Sequence, residues 1–285
     1  MITLPSNEAM AKSTDIRPCS VCGLFYPAEK SVLERDIDAM LANATVKKGT
    51  RRIAGIVAPH AGYLYSGPTA ARGYAQLRGS RFSSVVVVSP SHREAFEGVS
   101  VYPGRGYGTP LGTITIDQDL RSRLLDASPD VVASEAGHRA EHAVEVQLPF
   151  LQRVLKYFLL LPLVIGNQSR ETCLRLGEAL ASVLQGGDAL IVASTDLSHY
   201  YPAAVAEKMD AVAIDHLTRF DYLRLMDDLE DGKTEACGGG PLVAVMAALA
   251  RLGAPETEIM DHATSGDITG DVHSVVGYVS AVVYA

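Results

Sequence analysis

The stretch Ser84-Val85-Val86-Val87-Val88-Ser89-Pro90-Ser91-His92 decides the fold class. Four successive β-branched apolar residues suit a strand covered on both faces, and Ser-Pro-Ser ends it in a turn that delivers a histidine. A strand buried on both faces needs helices as its cover. Outward from this run the same alternation repeats. Residues 53–58, 158–165, 189–193 and 275–284 read as further strands, and 99–102 and 109–116 as shorter, partly exposed ones. Segments 31–42, 69–77, 119–125, 142–155, 171–184, 203–217 and 241–252 carry apolar residues at helical spacing, as with Leu33, Ile37 and Leu41 in the first. Asp117 and Ser169 suit N-caps and Pro202 a first turn. No linker and no internal repeat divides the chain. The expectation is a single α/β domain over residues 1–285, with one continuous mixed central β-sheet flanked by helices.

The 285 residues are 47% hydrophobic, enough for a full core, and carry a net charge of −8. Acids and bases are interspersed, so no nucleic-acid surface is expected; Lys47, Lys48, Arg51 and Arg52 are too few for a basic stripe and read as a solvated turn. The longest apolar run, 157–165, contains Pro162 and is too short to span a membrane. The first fifteen residues lack a basic segment followed by an apolar one, and four cysteines are too few for a disulfide scaffold, so a cytoplasmic protein is expected. Cys19-Ser-Val-Cys22 has metal or redox spacing. Without a second pair or a preceding strand, it is expected to form neither a zinc site nor a structural disulfide.

Polar residues recur just after the strands, where an open α/β sheet places its binding crevice. Ala58-Pro-His60-Ala-Gly-Tyr63 follows one strand, and Ser91-His92 follows the valines. Ser194-Thr-Asp196-Leu-Ser-His199-Tyr200 follows a third, with a carboxylate placed to orient an imidazole. Any one of these could simply stabilise its own turn; their recurrence points to a shared pocket. Glu235-Ala-Cys237-Gly238-Gly239-Gly240-Pro241 opens a helix. Its glycines would leave amides exposed, where a thiolate or another anion is stabilised. His142 and Glu145 share one face of a helix start, and either enter the pocket or decorate that terminus. Ser91 and Gly238 are further lining candidates. His138, His216 and His262 read as surface residues, and His273 as a residue bordering the site.

Taken together, these segments resemble the Memo family, including its bacterial members called AmmeMemoRadiSam system protein B. The resemblance runs through Gly23-Leu-Phe-Tyr-Pro27, Pro59-His-Ala-Gly-Tyr63, Ser89-Pro-Ser-His92, Glu141-His142 with Gln147-Leu-Pro-Phe-Leu151, and Ser194-Thr-Asp-Leu-Ser-His199. It continues through Cys237-Gly238, Thr264-Ser-Gly-Asp-Ile-Thr-Gly-Asp271 and Val275-Val-Gly-Tyr278. It implies a fold similar to class III extradiol dioxygenases and a metal site at His60, His92 and Cys237. Asp196 and His199 would be the catalytic pair, with His199 as proton-transfer base. The ring-cleaving enzymes hold ferrous iron with two histidines and a carboxylate; a cysteine here is softer and favours copper(I) or zinc beside iron. The implied function is a copper- or iron-dependent oxidoreductase acting on a small-molecule or peptide ligand. The alternatives are a non-catalytic adaptor that binds a peptide or anion in the same crevice, as a eukaryotic member is described to do, and a vestigial site. The family name further implies a link to radical SAM and AMMECR-type proteins.

Overall fold

In the computed structural model, which describes residues 15–47 and 51–285, all seven residues of the valine strand Ser84–Pro90 are buried. The first half of the chain forms β1 (Ile16–Arg17), α1 (Lys30–Ala42), β2 (Ile53–Ala58), α2 (Tyr63–Tyr74), β3 (Ser84–Pro90), β4 (Val99–Val101), β5 (Gly106–Thr109), β6 (Gly112–Thr115), α3 (Gln118–Ala127) and β7 (Val131–Ala133). The second forms α4 (Gln147–Val154), β8 (Leu159–Ile165), α5 (Arg170–Leu184), β9 (Ala189–Ser194), β10 (His199–Tyr201), α6 (Ala203–Arg219), α7 (Tyr222–Glu230), α8 (Gly239–Arg251), β11 (Glu256–Thr264), α9 (Gly266–Thr269) and β12 (Val275–Tyr284).

The main sheet has the order β10-β12-β2-β9-β3-β8-β4-β7, with β11 also paired to β12. Its centre, β2-β9-β3-β8, is parallel, and antiparallel β12 and β4 flank that block. The valines explain the layering. Side chains alternate across a strand, so Val86 and Val88 enter one core with Leu180 of α5 and Val245 and Leu249 of α8. Val85 and Val87 enter the other, with Leu33 and Ile37 of α1, Ala71 of α2 and Leu151 of α4. Burying each such side chain favours folding by roughly 1.5–3 kcal/mol. Helix α8 is apolar nearly all round because it is sandwiched. It lies so close to α5 that a Cβ on Gly177 would stand 2.8 Å from that of Ala247.

Several expectations are corrected. A second, three-stranded sheet, β1-β5-β6, exists beside the main one, and the strand expected over 109–116 is instead a hairpin arm closed at Gly112, whose φ is +124°. Helix α2 starts at Tyr63 rather than at residue 69, because Gly67 and Pro68, which look like turn residues, lie inside it. Gly67 is there for contact: a Cβ would meet Met40 Sδ of α1 at 2.6 Å. Helix α4 starts only at Gln147; residues 142–146 form a turn closed by Val146 N–H donating to the His142 carbonyl.

Cys19 and Cys22 are joined by a disulfide, with Cα atoms 5.9 Å apart. Spacing alone does not reveal the tight turn behind it, in which Leu24 and Phe25 N–H both donate to Val21 O and Gly23 takes φ +81°. Nor are the three expected surface histidines free. His138 is buried between Tyr107 Oη and Ser100 O, His216 pairs with Asp228 at 2.7 Å, and His262 with the fully buried Asp210 at 2.9 Å. Lys48 lies outside the described residues. Among the described residues, no helix is long and apolar enough to cross a membrane.

Candidate metal centre

Strands β2, β9 and β3 are parallel neighbours, so their C-terminal exits lie side by side. This brings His60, Asp196 with His199, and His92 to one edge, as in other open α/β sheets. Cys237 arrives from the α8 start. Gln168, just past β8, fastens that loop by donating to the Cys237 carbonyl at 2.8 Å and accepting Gly240 N–H at 2.8 Å.

His60 lies at the floor, 1% exposed. Its Nδ1 is 2.8 Å from Ser194 Oγ. That hydroxyl gives its one proton to Ala143 O at 2.7 Å and accepts Gln147 Nε2 at 2.8 Å, so it accepts from His60 Nδ1–H as well. The tautomer thus assigned leaves the Nε2 lone pair aimed at Cys237 Sγ, 3.1 Å away. His92 is fixed in a parallel way, its Nδ1 3.0 Å from Glu141 Oε1. His142 stacks on His92 with ring centroids 4.7 Å apart. Its Nδ1 is 3.1 Å from Glu141 Oε1 but misaligned, and remains a buried nitrogen without a hydrogen bond.

One nitrogen from each of His60, His92 and His142 lies within 4.8 Å of the others, and so do donor atoms of His60, Asp196 and Cys237. His60 belongs to both groups. The expected ligands His60, His92 and Cys237 are therefore spread across two overlapping donor sets, and His142, foreseen only as pocket lining, is a donor in its own right. Electrostatics suit a cation. Burial, and then the neighbouring His92, lowers His60 to about 3; burial, and then His60, lowers His142 to about 4. Both are neutral near pH 7 with lone pairs available. Burial raises Glu141, but hydrogen bonds and charge from His92 outweigh it and hold the carboxyl at about 2. Burial and the Asp196 charge push the Cys237 thiol up, so the expected thiolate is a thiol until a cation arrives. The orphan nitrogen and the mixed imidazole, thiol and carboxylate donors fit a borderline or soft metal ion.

Other expectations change. Asp196 is 4% exposed and accepts the His60 backbone N–H at 2.7 Å; burial raises its carboxyl. Among the described residues it makes no hydrogen bond to His199, whose Nδ1 instead faces Glu235 Oε1 at 3.4 Å. The glycines at the α8 start offer no open amide cradle. Gly238 N–H donates to Thr195 Oγ1, Gly239 N–H to Ala236 O and Gly240 N–H to Gln168. They are needed for close packing instead: a Cβ on Gly238 would stand 2.3 Å from Ser194 O. Ser91 closes its own turn through Glu94 O, Glu145 serves a buried network described below, and the exposed His273 stands outside both donor sets. Ser194, Gln147, Gln168 and Glu235 are site residues that the sequence pattern does not single out. Ser194, Gln147 and Glu235 lie within the motifs named above, which is the signal available for them.

A mixed sheet whose central strand exits gather imidazoles, a thiol and a carboxylate defines an α/β protein with a metal-capable crevice. This chain belongs to the Memo-like protein family, whose profile matches residues 17–282. It is 38% identical over 273 residues to a MEMO1 family protein of Methanothermobacter thermautotrophicus, covering 92% of this chain and 98% of that one. It is 37% identical over 271 residues to a MEMO1 family protein of Aquifex aeolicus, covering 94% and 98% respectively. Among solved structures, the uncharacterized protein JW3007 from Escherichia coli K12 is similar in fold, with TM-score 0.51 and 17% identity over 82% of this chain and all of that one.

Proposed function

We propose that this protein is a metal-dependent oxidoreductase of class III dioxygenase ancestry, with iron or copper held by His60, His92 and Cys237 and with His142 beside them. The supporting observation is the aim of His60 Nε2 at Cys237 Sγ, with the His92 and His142 rings packed against the same imidazole. Such a metal, when bound, supplies electron transfer and polarises an oxygen donor. The chain's own residues do the rest. Ser194 and Glu141 orient two imidazoles from behind, which raises ligand basicity. Asp196 anchors the β2 exit through the His60 amide. His199, partly exposed at the mouth, takes or gives a proton at Nε2, and Glu235 beside Nδ1 stabilises the imidazolium that forms. The substrate is a small molecule or peptide end that reaches His199. The occupied amides at the α8 start argue against an anion-binding adaptor.

Metal analysis of protein purified without chelators tests this, followed by anaerobic loading with ferrous iron or copper(I) and measurement of oxygen uptake with ascorbate. A single tightly held equivalent and His199-dependent oxygen uptake are expected. Loading that is unchanged in His60→Ala would overturn the ligand assignment.

A further inference from the structure

The disulfide pair Cys19–Cys22 stands outside the donor sets, yet the turn it closes is built into the crevice wall. Between the two cysteines, Ser20 N–H and Val21 N–H both donate to the Glu145 carboxylate, at 2.7 and 3.0 Å. Glu145 is fully buried and also accepts Tyr26 Oη–H and Arg17 Nη1–H, each at 2.6 Å. Arg17 in turn donates to the carbonyls of His138 and Glu141. The Glu141 carboxylate holds His92 Nδ1 and the amides of His142 and Ala143. A second route is shorter. Three residues past Cys22, the Phe25 ring lies 4.7 Å from that of His142, and its carbonyl accepts the Tyr63 N–H that starts α2.

Both half-cystines are partly exposed, so a thiolate from outside can reach them while the network behind them stays buried. Two adjacent amides must converge on one carboxylate, which a crosslink across them favours by restricting the alternatives. We propose that Cys19–Cys22 is a redox-active site whose disulfide form holds His92 and His142 in their metal-binding positions and whose dithiol form loosens them. The proposal rests on the metal-binding reading above. The reductant is a dithiol, small or carried by a protein. One of its thiolates attacks a sulfur of the pair, giving a mixed disulfide and releasing the other cysteine as thiolate. Its second thiol then displaces the remaining cysteine. Two electrons and two protons pass to the pair, and the reductant leaves as its own disulfide.

Zinc is the probe, by competition with a chromophoric chelator. The Cys19→Ser/Cys22→Ser variant mimics the open form without adding thiol ligands, and should bind zinc about tenfold more weakly than the oxidised protein, the lower range for loss of support behind metal ligands. Dithiothreitol should reduce the pair in the folded protein, as shown by alkylation and mass spectrometry. Hydrogen exchange at Ser20, Val21 and residues 141–147 should then accelerate, and slow again on reoxidation. Equal zinc affinity in the variant and the oxidised protein, or a pair that resists reduction until the chain unfolds, would overturn the proposal. If zinc binds neither form, the metal-binding reading fails and exchange alone decides. Identical exchange in the two redox states of the wild type then overturns the switch, even where the variant does not fold.

Discussion

His60 Nε2 stands 3.1 Å from Cys237 Sγ, although 177 residues separate the two in the chain. Because Ser194 fixes the proton of His60 on Nδ1, the short contact is a thiol donating to an imidazole. In a tetrahedral site, a nitrogen and a sulfur ligand lie about 3.5 Å apart. A cation therefore has to spread the pair by a few tenths of an ångström and displace the Sγ proton, with no rearrangement of the sheet.

Metal loading should release the Cys237 proton. Burial and the Asp196 charge keep it on the thiol, whereas His60 and His142 are already neutral. Calorimetry at pH 8 in buffers of differing ionisation enthalpy should show roughly one proton more released by the wild type than by Cys237→Ala. Cys237→Ser should weaken copper(I) binding by tenfold or more, since it removes the softest donor and leaves both histidines. Equal proton release from the two proteins would mean that the thiol is not a ligand.

Gly238→Ala should destabilise the fold. Its new methyl would stand 2.3 Å from Ser194 O and 2.8 Å from Thr195 Cβ, both beside backbone that carries the site. Overpacking of this kind costs typically 1–3 kcal/mol, measurable as a lower urea midpoint with unchanged slope. The displaced β9 exit should also lower metal affinity. A variant with native stability would return the glycines to the anion-binding role that their sequence suggests.

Acid should destabilise the protein through His138 as well as through the metal-site histidines. Burial lowers His138 to about 3 against 6.5 for the free side chain. The unfolded state therefore binds the proton more readily between these values. Stability is complete above pH 6.5 and falls as pH drops toward 3, by about 3 kcal/mol from this residue by pH 4. His138→Asn should flatten the fall in unfolding free energy over that range. A slope as steep as in the wild type would assign acid sensitivity to other groups.

Much of this was legible because buried parallel strands are uninterrupted apolar runs, and the histidines just beyond them are placed by the strands themselves. Val275–Tyr284 and Ile53–Ala58 have the bounds that the sequence implies. Helix α2 is longer than its sequence suggests because Gly67 and Pro68 resemble turn residues, whereas Gly67 serves packing against α1 and Pro68 sits on the exposed side of the helix. Ser194 and Gln147 are not legible in the sequence because an isolated hydroxyl or amide has no periodic signature, and only tertiary contact shows what it orients. Proximity in sequence pairs Asp196 with His199. The structure instead sets Glu235 beside His199 Nδ1 at 3.4 Å and turns Asp196 inward to the His60 amide.

That exchange of partners gives the most discriminating test of the mechanism. If His199 moves protons, His199→Ala should leave bound metal unchanged and depress oxygen uptake by the loaded protein by 10²-fold or more, the usual scale for a general base. Glu235→Gln keeps the shape but removes the charge facing Nδ1, so it should retain metal and slow oxygen uptake. Asp196→Asn should behave differently. Its carboxylate accepts the His60 amide and lies among the donor atoms, so both metal affinity and stability should fall. The two acidic residues are thus separable by a single pair of measurements, metal content and the rate of oxygen uptake. Slowed uptake in Asp196→Asn with normal metal content, and an undiminished rate in Glu235→Gln, would restore Asp196 as the orienting residue and remove Glu235 from the mechanism.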